Sequence, residues 1–353
     1  MNNFVRKNIM KSLIFRYWIF SFVLILTISC KKENPPKKNI PNYEEALLVL
    51  NEGNFMSGNS TLTLISNEDS VQEDVFRIKN GFALGDVGQS LYEFKNHIYL
   101  VVNNSNKIFR LDKDFKVTGT LAGLQSPRYF LPINDTIALV TDLYANGIHV
   151  VHIPSFTKIQ FINIQGWTEN MLFYQNKIWV ANPFAKSLYI INPKTMVLED
   201  SLVLQGSYGA MDLVVDISDN LWALCYGNSS MGIYPSLVKI KNGNILQTFT
   251  FSSGSYPSRL SISRDKSYLF WINNGIYIMP HQDNELPKTA FIEQGSRNFY
   301  HLFIHPNKDE IWVADAKDYV QKGEVLKFSF SSGELLKTFK VGIIPGFMLY
   351  LRK

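Results

Sequence analysis

From residue 47 to residue 329 the chain repeats one pattern of apolar and polar positions. A short apolar run closes on a polar residue, a loop follows, and a second short run ends in turn formers. Lys177–Thr195, KIWVANPFAKSLYIINPKT, shows it: Ile178–Ala181 is the first run, Asn182 its polar end, Leu188–Ile191 the second run and Asn192-Pro193 the turn. Runs this short, rich in β-branched and aromatic residues and fenced by turn formers, predict adjacent antiparallel strands. The phrase begins at Leu47, Ile98, Ile137, Ile178, Leu221, Leu269 and Ile311. Its first strands end at Asn51, Asn103, Asp142, Asn182, Tyr226, Asn273 and Asp315, in steps of 39 to 52 residues. A period of that size with several strands per unit predicts a β-propeller.

Two further strands complete each unit. One follows the phrase, as in Val71–Phe76, Ile159–Ile164, Leu198–Leu204 and Leu246–Phe251; the other precedes the next phrase, as in Ser90–Phe94, Tyr129–Pro132 and Met211–Asp216. Named a to d from the inside outward, they give four-stranded antiparallel blades. The first phrase has no a-strand before it, whereas Phe347–Leu351 is a surplus run at the C-terminus. That run is predicted to complete blade one from within, which closes the ring and covers its open edges. The prediction is an all-β, seven-bladed propeller.

Alternating strands also sort the loops. The a→b and c→d turns share one face and are short and polar, for example Lys95-Asn96-His97 and Gln175-Asn176-Lys177. The d→a and b→c loops share the other face, are longer, and carry aromatics, amides and Arg. Loops on one rim of a rigid scaffold are where binding residues concentrate. The candidate ligand-binding residues are Phe55, Gln89, Arg128, Tyr129, Tyr144, Trp167, Phe184, Tyr208, Tyr256, Arg259, Arg297 and Tyr300. Many aromatics on one rim suit a large, partly flat ligand. The alternative is turn chemistry: Ser126-Pro127-Arg128, Tyr256-Pro257-Ser258-Arg259 and Ser296-Arg297 precede a-strands in similar places, where each Arg could tie neighbouring blades. The polar residues that end the b-strands read as turn formers.

No constellation predicts catalysis. The six His (97, 149, 152, 281, 301 and 305) lack metal-ligand spacing, and no nucleophile elbow or Cys–His pair is present. Asp86, Glu169 and Asp212 lie near the starts of a-strands and are the strongest catalytic option, through the acids that metal-dependent, lactonase-like propellers place in the central channel. The chain is read as a binding protein and not an enzyme, with no metal, no cofactor and no catalytic residues.

The N-terminus sets the compartment. Arg6, Lys7, Lys11 and Arg16 precede the apolar run Tyr17–Ile28 and then Ser29-Cys30. A charged n-region, a short h-region and a small residue at the cut predict a secretory signal peptide, too short for a transmembrane helix. Leu26-Thr27-Ile28-Ser29-Cys30 resembles a bacterial lipobox, with Thr27 in place of the usual aliphatic residue. The expected organisation is a leader over 1–30 ending at a lipidated Cys30, a flexible tether over 31–45, and the propeller over 46–353. An ordinary signal with a chance Cys is the alternative. With Cys30 lipidated, Cys225 stands alone as a buried small hydrophobe. The formal charge of +5 comes largely from the leader; the remaining 31 basic and 30 acidic side chains nearly cancel. Bulk attraction for nucleic acid is therefore excluded.

Several stretches carry a family resemblance: Val49-Leu50-Asn51-Glu52-Gly53-Asn54-Phe55, Asn80-Gly81, Gly85-Asp86-Val87-Gly88-Gln89-Ser90, Val102–Ile108 and Ser126-Pro127-Arg128-Tyr129. Over residues 46–351 the chain resembles the exported β-propeller lipoproteins of Bacteroidetes, the YncE-like, DUF5074-type group. Some members are surface-exposed cobalamin-binding proteins that pass the corrinoid to a TonB-dependent outer-membrane transporter. The resemblance implies that role, with lipid anchoring to the outer membrane at the cell surface, a corrinoid as ligand and the transporter as partner. A glycan-, peptide- or protein-binding adhesion or scaffold propeller and a lactonase-like hydrolase are the other classes kept open.

Overall fold

Seven four-stranded antiparallel sheets follow one another in the computed structural model, which describes residues 43–353. The predicted leader, Cys30 and nearly all of the predicted tether lie outside the described residues. Blades two to seven each take four consecutive strands, whose innermost members are Gly88–Phe94, Pro127–Pro132, Met171–Tyr174, Ala210–Val215, Ser258–Ile262 and Phe299–Ile304. Blade one is assembled from both ends of the described chain. The C-terminal strand Pro345–Arg352 pairs with Glu45–Asn51, setting Phe347 opposite Leu50, Leu349 opposite Leu48 and Leu351 opposite Ala46. The ring therefore closes as the sequence predicts.

The core lies between blades. Each sheet packs on a neighbour with both faces, so the second strands are near-continuous apolar runs rather than alternating ones. Leu47–Leu50, Ile98–Val102 and Leu221–Cys225 are buried throughout. Such runs are expected of strands buried on both faces. Between blades two and three, the Tyr99 and Phe130 rings stack at 4.1 Å beside Phe156. The outermost strands, such as Thr157–Asn163 and Val197–Val203, are mostly exposed.

Two segments depart from the sequence reading. The outer strand expected over Val71–Phe76 is only Val71–Gln72, and a short helix, Val75–Asn80, follows. Asp74 caps that helix by accepting from Arg77 N at 3.4 Å, and Gly81 ends it in the left-handed region at φ 78°. Val75 and Phe76 are adjacent and both buried, which a helical turn against the neighbouring blade allows and an edge strand does not. The other departure is the c→d connection of blade six, residues 281–291, which is long where its counterparts are tight; Leu286 anchors it on the adjacent core.

A register irregularity recurs where the innermost strands begin. Pairing with the second strand slips between Gly88 and Ser90, Pro127 and Phe130, Ala210 and Asp212, Ser258 and Ser261, and Phe299 and His301. In blade one it slips opposite Leu50 and Asn51, leaving Gly346 unpaired. A β-bulge bends its strand and re-aims a side chain. Here Gln89, Arg128, Arg259 and Tyr300 occupy the bulges, all at the end of the channel that carries the longer loops.

Candidate functional site

The bulges and the loops beside them build a polar girdle around the mouth of the central channel, one side chain from each blade. Arg128 Nε donates to both carboxylate oxygens of Glu169, at 2.8 and 3.0 Å, and its Nη1 donates to Gln89 Oε1. Asp212 Oδ2 accepts from Leu260 N at 3.2 Å. Arg259 Nε donates to Tyr300 O at 3.1 Å, with the guanidinium 5.4 Å from the Tyr300 ring. Tyr300 Oη donates to Glu52 Oε2 at 3.0 Å. Glu52 stands where blade one has Gly346 at its bulge: a Cβ on that glycine would overlap the Glu52 carboxylate. Arg259 has a left-handed backbone, φ 59°, and such strain in a non-glycine residue concentrates at functional sites.

The electrostatics follow from this burial. Desolvation pushes the carboxyls of Glu52, Glu169 and Asp212 up, against the pull of Arg128 and Arg259. Burial also raises the Tyr129 and Tyr300 phenols, and pushes Tyr226 up to about 12. His301, next to Tyr300, is held well below the usual imidazole range by burial and by the Arg259 charge, and its Nδ1 has no partner. The channel beneath the girdle is a cavity of about 510 Å³, whose wall includes Tyr129, Asn170, Asp212, Arg259 and His301 together with Phe347, Met348 and Leu349.

On the same face stands an exposed aromatic ledge. Trp167 packs edge-on against Tyr144 at 5.5 Å and against Phe184 at 4.2 Å. Tyr144 and Phe184 are 58% and 57% exposed, so the three rings form a continuous surface, not a core. Tyr208 Oη donates to Phe184 O at 2.9 Å and fixes the far end. The loop that carries Trp167 also carries Glu169 and Asn170, so ledge and channel mouth meet in one segment.

The twelve sequence candidates thus fall into four groups. Tyr144, Trp167, Phe184 and Tyr208 form the ledge. Gln89, Arg128, Tyr129, Arg259 and Tyr300 line the channel mouth instead of standing on an open rim, and Arg128 does tie neighbouring blades. Phe55 and Tyr256 are exposed, at 68% and 81%, but lie apart from the ledge. Arg297 lines a separate surface cavity with Asp315, Lys317 and Glu324. Sequence reasoning did not select Glu52, Asn170 or His301. Of the b-strand ends, Asn182 and Asp315 act as turn formers, accepting from Phe184 N and Lys317 N, whereas Asp142, Asn273 and Asp315 also accept from the d→a loop, at Gln125 N and Ser126 N, Tyr256 N and Asn298 N.

Of the acids weighed for catalysis, Glu169 and Asp212 reach the channel mouth but Asp86 does not. Asp86 Oδ2 is held at the loop face by Met56 N and the Asn104 amide. Among the described residues, no three of His, Cys, Asp and Glu stand close enough to share a metal ion.

A family model described as "Domain of unknown function (DUF5074)" matches residues 45–345. No curated protein matches the chain. Among solved structures, a quinonprotein alcohol dehydrogenase-like protein from Bacteroides thetaiotaomicron is similar at TM-score 0.70 and 16% identity, over 87% of this chain and 78% of that one. The periplasmic gluconolactonase PpgL of Pseudomonas aeruginosa is similar at TM-score 0.67 and 12% identity, over 87% and 99%. A protein from Lactobacillus plantarum gives TM-score 0.67 and 13% identity over the same shares. At these identities the likeness shows the propeller fold alone.

Proposed function

The chain belongs to the DUF5074 family, and from the loop face of its propeller we propose that it is a binding protein that captures a corrinoid. The observation that carries this reading is the exposed Tyr144–Trp167–Phe184 ledge on the face where the channel wall carries Tyr129, Asn170, Asp212 and Arg259. Large aromatic side chains give contact area at low entropic cost, and a few convergent polar groups orient the ligand. A corrinoid is broad, flat in its ring and fringed with amides, so it matches an apolar ledge and a polar girdle at once. Calorimetric titration with cyanocobalamin tests the reading. The expected result is saturable one-to-one binding at micromolar or lower concentration, and a flat titration overturns it.

Export, lipid anchoring at Cys30 on the outer membrane and transfer to a TonB-dependent transporter belong to the same proposal. Glu45 opens the first strand at the face of short turns, opposite the ledge. A tether from Cys30 would then present the ledge away from the lipid. Cys30→Ser should release the protein from the membrane fraction, and an unchanged fractionation would contradict the anchor.

A further inference from the structure

The channel mouth holds polar groups that the protein does not complete. Arg259 uses only Nε within the protein, on Tyr300 O, and among the described residues it forms no ion pair; its Nη1 and Nη2 donate to no protein group. Arg259 is half-buried and lines the cavity, so these two nitrogens are open to an acceptor on whatever enters it. Asp212 lines the same cavity. Its Oδ2 holds Leu260 N, leaving acceptor capacity on the carboxylate. The Tyr129 hydroxyl and the Asn170 carboxamide also line this cavity and have no protein hydrogen-bond partner among the described residues. Donors and an acceptor therefore stand in one wall, and Phe347 stands with the apolar part of the lining.

The charges decide what can enter. Arg128 and Arg259 stand among Glu52, Glu169 and Asp212. A ligand carboxylate would satisfy Arg259 but add a fourth acid to the girdle, and an ammonium would satisfy Asp212 against two guanidiniums. A primary carboxamide offers its carbonyl oxygen to Arg259 and its NH2 group to Asp212, and brings no charge. Trp167 on the ledge and Asn170 on the channel wall stand three residues apart in one loop, which joins the two surfaces along the chain.

We propose that the channel mouth receives one peripheral carboxamide of the ligand held on the ledge, and selects it against the corresponding carboxylate. This rests on the corrinoid reading of the ledge, and the experiment separates the two. The full chain is titrated with cyanocobalamin and with each isomer in which one peripheral amide has been hydrolysed to a carboxylate. One isomer should bind about tenfold or more weakly, and Asp212→Asn should narrow that gap by easing the repulsion. If every isomer binds like the parent compound, the carboxamide subsite is overturned and the ledge reading stands. Saturation-transfer NMR with acetamide and with acetate probes the channel without the corrinoid. Transfer to acetamide, absent for acetate and weakened by Asp212→Asn, supports the subsite even if cyanocobalamin does not bind and the ledge reading fails. Equal transfer to both probes, or to neither, contradicts it.

Discussion

Arg128 and Glu169 are joined across the seam between blades three and four, with Arg128 Nε 2.8 Å from one carboxylate oxygen and 3.0 Å from the other. Both side chains are largely removed from water. Breaking such a pair from one side leaves the surviving charge buried and alone, which typically costs about 3–5 kcal/mol. Glu169→Gln should therefore lower unfolding free energy by about that amount, read by urea denaturation. The double change Arg128→Met/Glu169→Leu should cost clearly less, because no orphaned charge remains. A single variant as stable as the parent would show that the pair does not hold the seam.

A pH effect follows from His301. Its folded-state pKa is pushed well below 6.5 by burial and by Arg259. Below 6.5 the unfolded chain takes up a proton that the folded chain refuses, so this residue makes stability fall as pH drops through that value. The slope approaches about 1.4 kcal/mol per pH unit. Glu52, Glu169 and Asp212 act in the opposite sense: their carboxyls are raised in the fold, so they favour folding as pH falls from their raised values toward the unfolded ones. The informative quantity is thus the difference between parent and His301→Gln, measured by urea denaturation from pH 7.5 to 5, a range of about 2.5 units around the usual imidazole value. The variant should lose less stability on acidification, and parallel profiles would contradict the account.

Much of this architecture was legible because burial on both blade faces makes each second strand an unbroken apolar run. Ile98–Val102 and Ile178–Ala181 announce themselves, and their spacing sets the blade count. Phe347–Leu351 was legible as the closing strand because it was one apolar run too many. Residues 75–80 were not, since two adjacent buried residues, Val75 and Phe76, look alike in a strand and in a short helix; the distinguishing signals were Asp74 and Gly81 at its ends. The girdle was legible only in part. The repeated Arg before a-strands was visible, but nothing in the sequence shows a bulge, so Arg128 and Arg259 were placed on an open rim when their bulges turn them into the channel. Glu52 could not be found at all without knowing that Gly346 vacates the matching position in blade one.

The C-terminal strand should be indispensable. Removing Phe347–Lys353 uncovers Glu45–Asn51 and withdraws the buried Met348 and Leu351 along with the partly buried Phe347 and Leu349. At about 25 cal/mol per Å² of apolar surface, the loss is several kcal/mol, comparable to the whole margin of a typical domain. The truncated chain should melt well below the parent or fail to fold. A calorimetric transition unchanged by the truncation would contradict ring closure by this strand.

The central claim is that the aromatic ledge is a binding surface and not part of the core. Changing Tyr144, Trp167 and Phe184 together to Ala and titrating parent and variant with cyanocobalamin, with melting recorded on the same samples, tests it most directly. The predicted result is a loss of affinity well over tenfold, about 1.4 kcal/mol or more, with little change in melting temperature. A variant that binds as tightly as the parent, or that unfolds while the parent binds no corrinoid, would contradict the claim.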